Sequence, residues 1–321
     1  MSALKSLAIV VLLYALPAGL SAQDFRDRVS VTAIALDDGS GASLRGAGSA
    51  YFDRQARELF VCDGGHNQVI IYDENLIPKF AFRHFVPSRD SDRLVPGEPK
   101  AVVTNSRGEI ILLDNLAQFI DVLDFRGEPL QRVFPNQLIG DTTLRLTCDA
   151  LAVDDRDNLY VVVGGDLQTI LVLDQDFLLK RKIGRKGPGE SDFTTLLAIA
   201  EFQGRLYLTD LLAKPAIKVF DTSGAYLSGF GAHEVEKTDF SLPGGITVTV
   251  DSSGTPLLWF CDALRQIVKV IDAKGNFISE VGGFGYNLGE YRYPSGIASD
   301  GRNIVFVVEK VGARVQKFEY R

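Results

Sequence analysis

The chain has 321 residues, 46% of them hydrophobic, and 34 basic against 41 acidic side chains leave a formal net charge of -7. That apolar content supports a sizeable core and excludes an intrinsically disordered chain. The acidic balance argues against nucleic acid or an anionic membrane as the main partner.

Residues 1–22 have the layout of a secretory signal peptide. Lys5 gives a positive start, Leu7 to Leu16 ("LAIVVLLYAL") form an apolar run, and Pro17, Gly19, Ser21 and Ala22 make a small-residue exit. The run is too short to span a bilayer, and no later stretch approaches 18 apolar residues. No Cys follows it, so no lipid anchor is indicated. We expect cleavage near Gln23, no membrane anchor afterwards, and a periplasmic or extracellular domain over residues 23–321.

The next element, "VSVTAIAL" from Val29, is an alternating strand that belongs to no later unit. From Gly48 a pattern begins that recurs six times. Its central segment reads "VCDGGHNQVIIYD" from Val61, "LLDNLAQFIDVLD" from Leu112 and "VVGGDLQTILVLD" from Val162. It continues as "LTDLLAKPAIKVFD" from Leu208, "FCDALRQIVKVID" from Phe260 and "VVEKVGARVQKFE" from Val307. The closing acids Asp73, Asp124, Asp174, Asp221, Asp272 and Glu319 are spaced by 51, 50, 47, 51 and 47 residues. A period near 50 residues built of short β-rich runs predicts a propeller.

Each copy holds two strands around a short turn. A further strand lies upstream, as in "GSAYFD" from Gly48 and "KAVVTN" from Lys100, and another downstream, as in "PKFAF" from Pro78 and "YLSGFG" from Tyr226. Four strands make one blade. The sixth unit stops at Arg321 without its fourth strand, so the surplus strand at Val29 is predicted to complete it and close the ring. The expectation is an all-β, six-bladed β-propeller of four-stranded blades.

The repeat resembles the NHL repeat, whose pattern runs roughly V-A-D-T-G-N-N-R-I-Q-V-F-D followed by a turn such as D-x-x-G. "VCDGGHNQVIIYD" follows it column by column, and "FDTSGAYLSGFG" (Phe220 to Gly231) and "IDAKGNFISEVGGFG" (Ile271 to Gly285) match the continuation. "GRKGPGESDF" and "GYNLGEYRYPSGIASDG" are similar to the inter-blade segments of bacterial exported six-bladed propellers. The resemblance covers about residues 29 to 321. It implies the fold and leaves the activity open, since this scaffold serves lyases, lactonases, RNA binders and protein-interaction modules.

Candidate chemistry follows the repeat. His66, His84 and His233 are the only histidines, and all three fall on the face that carries the inter-blade connections, here called the loop face. Three histidines are what a zinc site needs. The NHL-type peptidyl-hydroxyglycine amidating lyases use three, but none of these follows that pattern recognisably. The gluconolactonase-like propellers place a metal-binding Glu where this chain has Ala47. Glu98, Glu190 and Glu290 stand just before the first strands of alternate blades, where three carboxylates could ring the channel mouth and hold calcium.

The repeated acids Asp63, Asp114, Asp210 and Asp262, and Asp53, Asp154, Asp251 and Asp300, are expected to cap turns. Cys62, Cys148 and Cys261 are read as buried strand residues; the first and last occupy one column two blades apart, beyond the roughly 7 Å limit for a disulfide. The connections supply Arg83, His84, Arg89, Arg93 and Lys100, then Arg185 and Lys186, then Tyr286, Tyr291, Arg292 and Tyr293. Arg and Tyr anchor interfaces and stack on sugars and peptides. With His66, Asn67 and His233 they define the expected binding surface. The chain is therefore expected to be a binding module for a protein, peptide or glycan. The alternative is a propeller enzyme, a lyase or lactone hydrolase, with zinc or calcium at the channel mouth.

Overall fold

The computed structural model describes residues 25–88, 90–91, 93–233, 237 and 239–321. Residues 1–22, the expected signal peptide, and Arg89 lie outside the described residues.

Six four-stranded antiparallel sheets form the blades. The surplus strand β1 (Val29–Ala35) comes first. Blade one is β2 (Ala47–Asp53), β3 (Glu58–Asp63), β4 (Gln68–Asp73) and β5 (Pro78–Arg83). A hairpin, β6 (Phe85–Pro87) and β7 (Leu94–Pro96), leads to blade two, β8 (Pro99–Thr104), β9 (Ile110–Asp114), β10 (Ile120–Leu123) and β11 (Pro129–Val133). A short helix, α1 (Pro135–Ile139), leads to blade three, β12 (Cys148–Val153), β13 (Leu159–Val163), β14 (Thr169–Leu173) and β15 (Leu179–Ile183). Blade four is β16 (Leu196–Phe202), β17 (Arg205–Asp210), β18 (Ile217–Asp221) and β19 (Tyr226–Phe230). Blade five is β20 (Pro243–Val250), β21 (Pro256–Asp262), β22 (Ile267–Asp272) and β23 (Phe277–Val281). Blade six is β24 (Pro294–Ser299), β25 (Ile304–Glu309) and β26 (Arg314–Tyr320), and β1 pairs with β26 as its fourth strand.

The ring closes as the sequence predicts. Val29 opposes Tyr320 and Ala35 opposes Val315. Phe25, Trp259 and Tyr320 pack ring on ring at 5.5 to 5.8 Å across the junction of blades five and six, so the first described residues tie both ends of the ring. No helix among the described residues is long and apolar enough to cross a membrane.

The core is divided into wedges. Six hydrophobic clusters lie between successive blades, as where Leu113 and Val122 of blade two meet Val161 and Leu171 of blade three. Second and third strands are covered on both faces by neighbouring blades, so "LYVVV" and "TILVL" in blade three are buried throughout. Fourth strands face solvent and mix polar with apolar residues, as in "LKRKI".

The acids divide into two kinds. At the turns remote from the loop face Asp53, Asp154, Asp251 and Asp300 cap, as expected: Asp53 Oδ1 accepts the N–H groups of Gln55 and Ala56 at 2.8 Å, and the other three accept amides two and four residues on. The closing acids Asp73, Asp124, Asp174, Asp221 and Asp272 cap their turns in the same way. The buried acids ending the second strands do something further. Asp63 accepts from the amide of Arg45, Asp210 from Thr194 and Thr195, Asp262 from Ser241 and Leu242, and Glu309 from Arg292. Each fastens the incoming inter-blade segment to its blade. Blade three has Gly164 in that column, and Asp166 binds the amide of Arg145 instead.

Candidate functional site

The six innermost strands, β2, β8, β12, β16, β20 and β24, wall a central channel with a cavity of about 620 Å³. Every one of them carries a bulge at its loop-face end, where two residues oppose one on the second strand. The extra residues are Gly48, Lys100, Asp149, Leu197, one of Gly244 and Gly245, and Ser295. All line the cavity and are half-buried, whereas Ala47, Pro99, Cys148, Leu196, Pro243 and Pro294 just before them are buried. A bulge breaks the two-residue alternation and so re-aims a side chain. Here it turns one residue per blade into the channel mouth.

This mouth is asymmetric. Lys100 and Asp149 form an ion pair at 3.2 Å, and Thr147 Oγ1 donates to the other carboxylate oxygen of Asp149 at 2.7 Å. Blade four contributes the apolar Leu197. Blades five, six and one contribute glycines and Ser295, and Gly244 and Gly245 let the backbone of blade six approach, since a Cβ at either would stand 3.0 to 3.1 Å from the Ser295 carbonyl oxygen. Tyr293, held at φ 60° with its N–H bonded to Gln266 Oε1 at 2.5 Å, completes the rim.

Around the mouth stand the turns between second and third strands. Two residues past the buried acid, four of the six blades expose an apolar side chain: Leu116, Leu212, Leu264 and Val311, at 45, 71, 61 and 52%. Exposed Phe284, Tyr286 and Leu288 extend this apolar fringe between blades five and six.

The channel's opposite end is acidic. Asp53, Asp154, Asp155, Asp157 and Glu201 line it, and the Arg54 guanidinium lies 5.5 Å from the ring centre of Phe202 on the opposite blade. Burial pushes the Glu201 carboxyl up to about 7; Asp154 and Asp155 add to the shift, while the Gly204 amide and Arg54 oppose it.

The expected site residues scatter. His66 sits in the turn between β3 and β4, with Nδ1 2.8 Å from Asp63 Oδ2. Asn67 follows in the left-handed conformation and donates to the carbonyl of Gly97. His233 is exposed, with Nε2 3.3 Å from the carbonyl of Asp210. Arg83, Arg185 and Lys186 are exposed, and Arg185 pairs with Asp192 at 3.0 Å. Arg292 stacks its guanidinium 4.5 Å from the ring centre of Tyr286.

Two members of the expected surface are not surface residues. His84 is buried between Asp114 and Asp121, at 2.8 and 2.9 Å. Tyr291 is wholly buried against Phe318 and lies directly under Gly282, where any Cβ would strike its ring. The inter-blade segment doubles back, pairing Phe284 with Tyr291, and drives that ring into the core; Phe193 takes the same place under Gly184 before blade four.

The expected metal ligands do not converge. Glu98 and Glu190 are exposed, and the Glu290 carboxylate accepts the Asn287 N–H at 2.9 Å as a local turn cap. Among the described residues no three His, Cys, Asp or Glu side chains are grouped to hold a metal ion. The donor sets read from the sequence, for zinc and for calcium alike, do not fit the arrangement. All three cysteines are free and buried, and burial pushes the Cys148 thiol up to about 12.

Sequence reasoning missed the mouth itself. Lys100 entered only as one of several loop cations, and Asp149, Leu197 and Ser295 not at all. The one available signal, present in four of the six blades, was the residue before a first-strand Ala or Gly (Ala101, Ala150, Ala198, Gly296), out of step with the alternation.

Fold and site together define a six-bladed β-propeller with a ligand-sized channel open on its loop face. Protein-family models give no match to the chain, and no curated protein matches it. Solved structures do. Streptogramin B lyase superposes with a TM-score of 0.57 at 12% identity, over 92% of this chain and 99% of that one. A Bacteroides thetaiotaomicron protein of unknown function gives 0.58 at 16% identity, over 91% and 76%. Luciferin-regenerating enzyme gives 0.58 at 12% identity, over 89% and 94%. At such identities the likeness is one of fold.

Proposed function

We propose that this chain is an exported, NHL-type propeller acting as a binding module, and that its loop face takes a protein, peptide or glycan. One observation carries the reading: every blade spends a bulge on turning a residue into the same mouth. Lys100 and Asp149 offer a donor and an acceptor side by side, suited to an amide or a polyol. Gly48 adds no side chain to the mouth and has no close neighbour there, and the cavity is within the roughly 300–1,000 Å³ range of ligand pockets. The apolar fringe supplies the contact area around it.

The test is binding of labelled mature protein to peptide and glycan arrays, with Lys100→Ala/Asp149→Ala beside wild type. Loss of at least tenfold in affinity for any captured ligand, at an unchanged melting temperature, supports the mouth as the site. Unchanged capture removes it. Export is tested separately by N-terminal sequencing of the secreted chain, expected to begin near Gln23.

One observation favours catalysis instead. Glu201, in the same channel, holds its proton near neutral pH, as a general acid or base requires. On that reading Glu201→Gln abolishes turnover of a ligand found on the arrays and leaves its binding intact.

A further inference from the structure

Blade two resolves its buried charge differently from the other blades. In blade four, Asp210 at the end of the second strand is neutralised by Lys218, three residues before the end of the third strand. In blade two the same two columns hold Asp114 and Asp121, both buried acids. The cations come from outside those strands. Arg132 of β11 donates to Asp121 Oδ1 at 3.0 Å, and His84, from the segment that joins blades one and two, sits between the carboxylates.

The distances bear on the protons. Nδ1 of His84 lies 2.8 Å from Asp114 Oδ2, and Nε2 lies 2.9 Å from Asp121 Oδ2. A neutral imidazole has one N–H and one lone pair, so it would set that lone pair against a carboxylate. Both contacts are hydrogen bonds only if the cluster holds one further proton; carried by His84, it lets the imidazolium donate to both acids. The groups facing His84 are Asp114 of β9, Asp121 of β10 with Arg132 behind it, and Gly97 of its own segment; the buried Cys62 thiol of β3 stands near Asp114. Two acids against Arg132 and a protonated His84 balance. Burial by itself lowers the affinity of His84 for its proton, but the hydrogen bonds and charges of the two acids outweigh it and the net shift is upward.

His84 also closes the neck of the β6–β7 hairpin. Its N–H donates to the carbonyl of Asn67 at 2.8 Å and its carbonyl accepts from Gly97 at 2.9 Å. Gly97 fits because it lacks a side chain: a Cβ would stand 2.2 Å from Asp114 Oδ2 and 2.8 Å from His84 Nδ1. The hairpin exposes Phe85 and Leu94.

We infer that His84 is a proton-dependent clasp, which fastens the hairpin strands β6 and β7 to blade two while protonated and releases them when the proton leaves. Release would withdraw Phe85 and Leu94 from a fixed position on the loop face. The clasp stands whatever that face binds, and its test uses no partner.

The imidazole titration of His84 is followed by NMR in the full chain, and amide exchange protection is measured on either side of its midpoint. Expected are a midpoint above the ordinary histidine value and at least a tenfold loss of protection in β6, β7 and the neck residues His84 and Gly97 as His84 deprotonates. Protection in β13, remote from the cluster, stays constant. Asp121→Asn removes the demand for the second proton, so its protection at those positions no longer follows pH. A midpoint at or below about 6.5, unchanged protection across the titration, or the same loss in Asp121→Asn overturns the clasp. If Asp121→Asn does not fold, the wild-type midpoint and protection decide by themselves.

Discussion

Replacing Asp210 tests the claim that buried acids fasten the inter-blade segments. Its carboxylate is wholly buried, lies 3.1 Å from the ammonium of Lys218, and accepts the Thr194 and Thr195 amides at 2.9 and 2.8 Å. Asp210→Ala leaves the Lys218 charge buried and unpaired, at a cost of about 3–5 kcal/mol. It also strands two amides, worth about 1–3 kcal/mol each where water cannot reach them. Together these approach the about 5–15 kcal/mol that stabilises a typical domain, so Asp210→Ala should scarcely fold. Asp210→Asn keeps an acceptor oxygen and should lose about 3 kcal/mol, chiefly from the orphaned charge. Adding Lys218→Met removes that charge and should recover most of the loss, because a buried ion pair exchanged for neutral groups of similar volume is close to even. Guanidinium unfolding midpoints of the four proteins decide. An Asp210→Ala loss below about 1 kcal/mol, or no recovery in the double variant, would refute the reasoning.

Three further outcomes follow from burial. Tyr291 carries a buried hydroxyl with no hydrogen-bond partner, so Tyr291→Phe should change stability by less than about 1 kcal/mol, whereas Tyr291→Ala should cost about 3–5 kcal/mol in a denaturant melt. Cys62, Cys148 and Cys261 are buried, and burial raises all three thiols, so a thiol reagent at pH 8 should label none in the native protein and three after unfolding. Stability should fall on both sides of an optimum. His84 binds its proton more tightly when folded, so its contribution is complete below about pH 6.5 and fades as pH rises through the folded value. Asp114 and Asp210, lowered overall because hydrogen bonds and neighbouring cations outweigh burial, contribute above about pH 3.9 and fade as pH falls through their folded values. Melting temperatures across pH 3 to 10 that climb continuously into base would contradict this.

Much of the architecture was legible because a propeller repeats it. Six copies of one pattern, five of 13 residues and one with a single insertion, disclosed the blades, and the unpaired strand at Val29 with the missing strand after Tyr320 disclosed the closure. Asp154, Asp251 and Asp300 were readable as caps, since a cap is made with amides two and four residues away. The loop-face residues were less legible. Tyr286 and Tyr291 stand five residues apart in one segment, yet one is exposed and the other wholly buried. Only the doubling back that pairs Phe284 with Tyr291 distinguishes them.

By itself the sequence determined the number of strands in each blade, the blade count and the means of closing the ring, because these are written in short-range periodicity and its repetition, whereas the β6–β7 hairpin lies outside the repeat and was not read from it. Tertiary structure decided which residues meet. A bulge is a mismatch of one residue between two paired strands, so Lys100 and Asp149 enter the mouth through a register that neither strand specifies alone. The setting of His84 likewise depends on two acids 30 and 37 residues further along the chain, brought to its two nitrogens by the neighbouring blade.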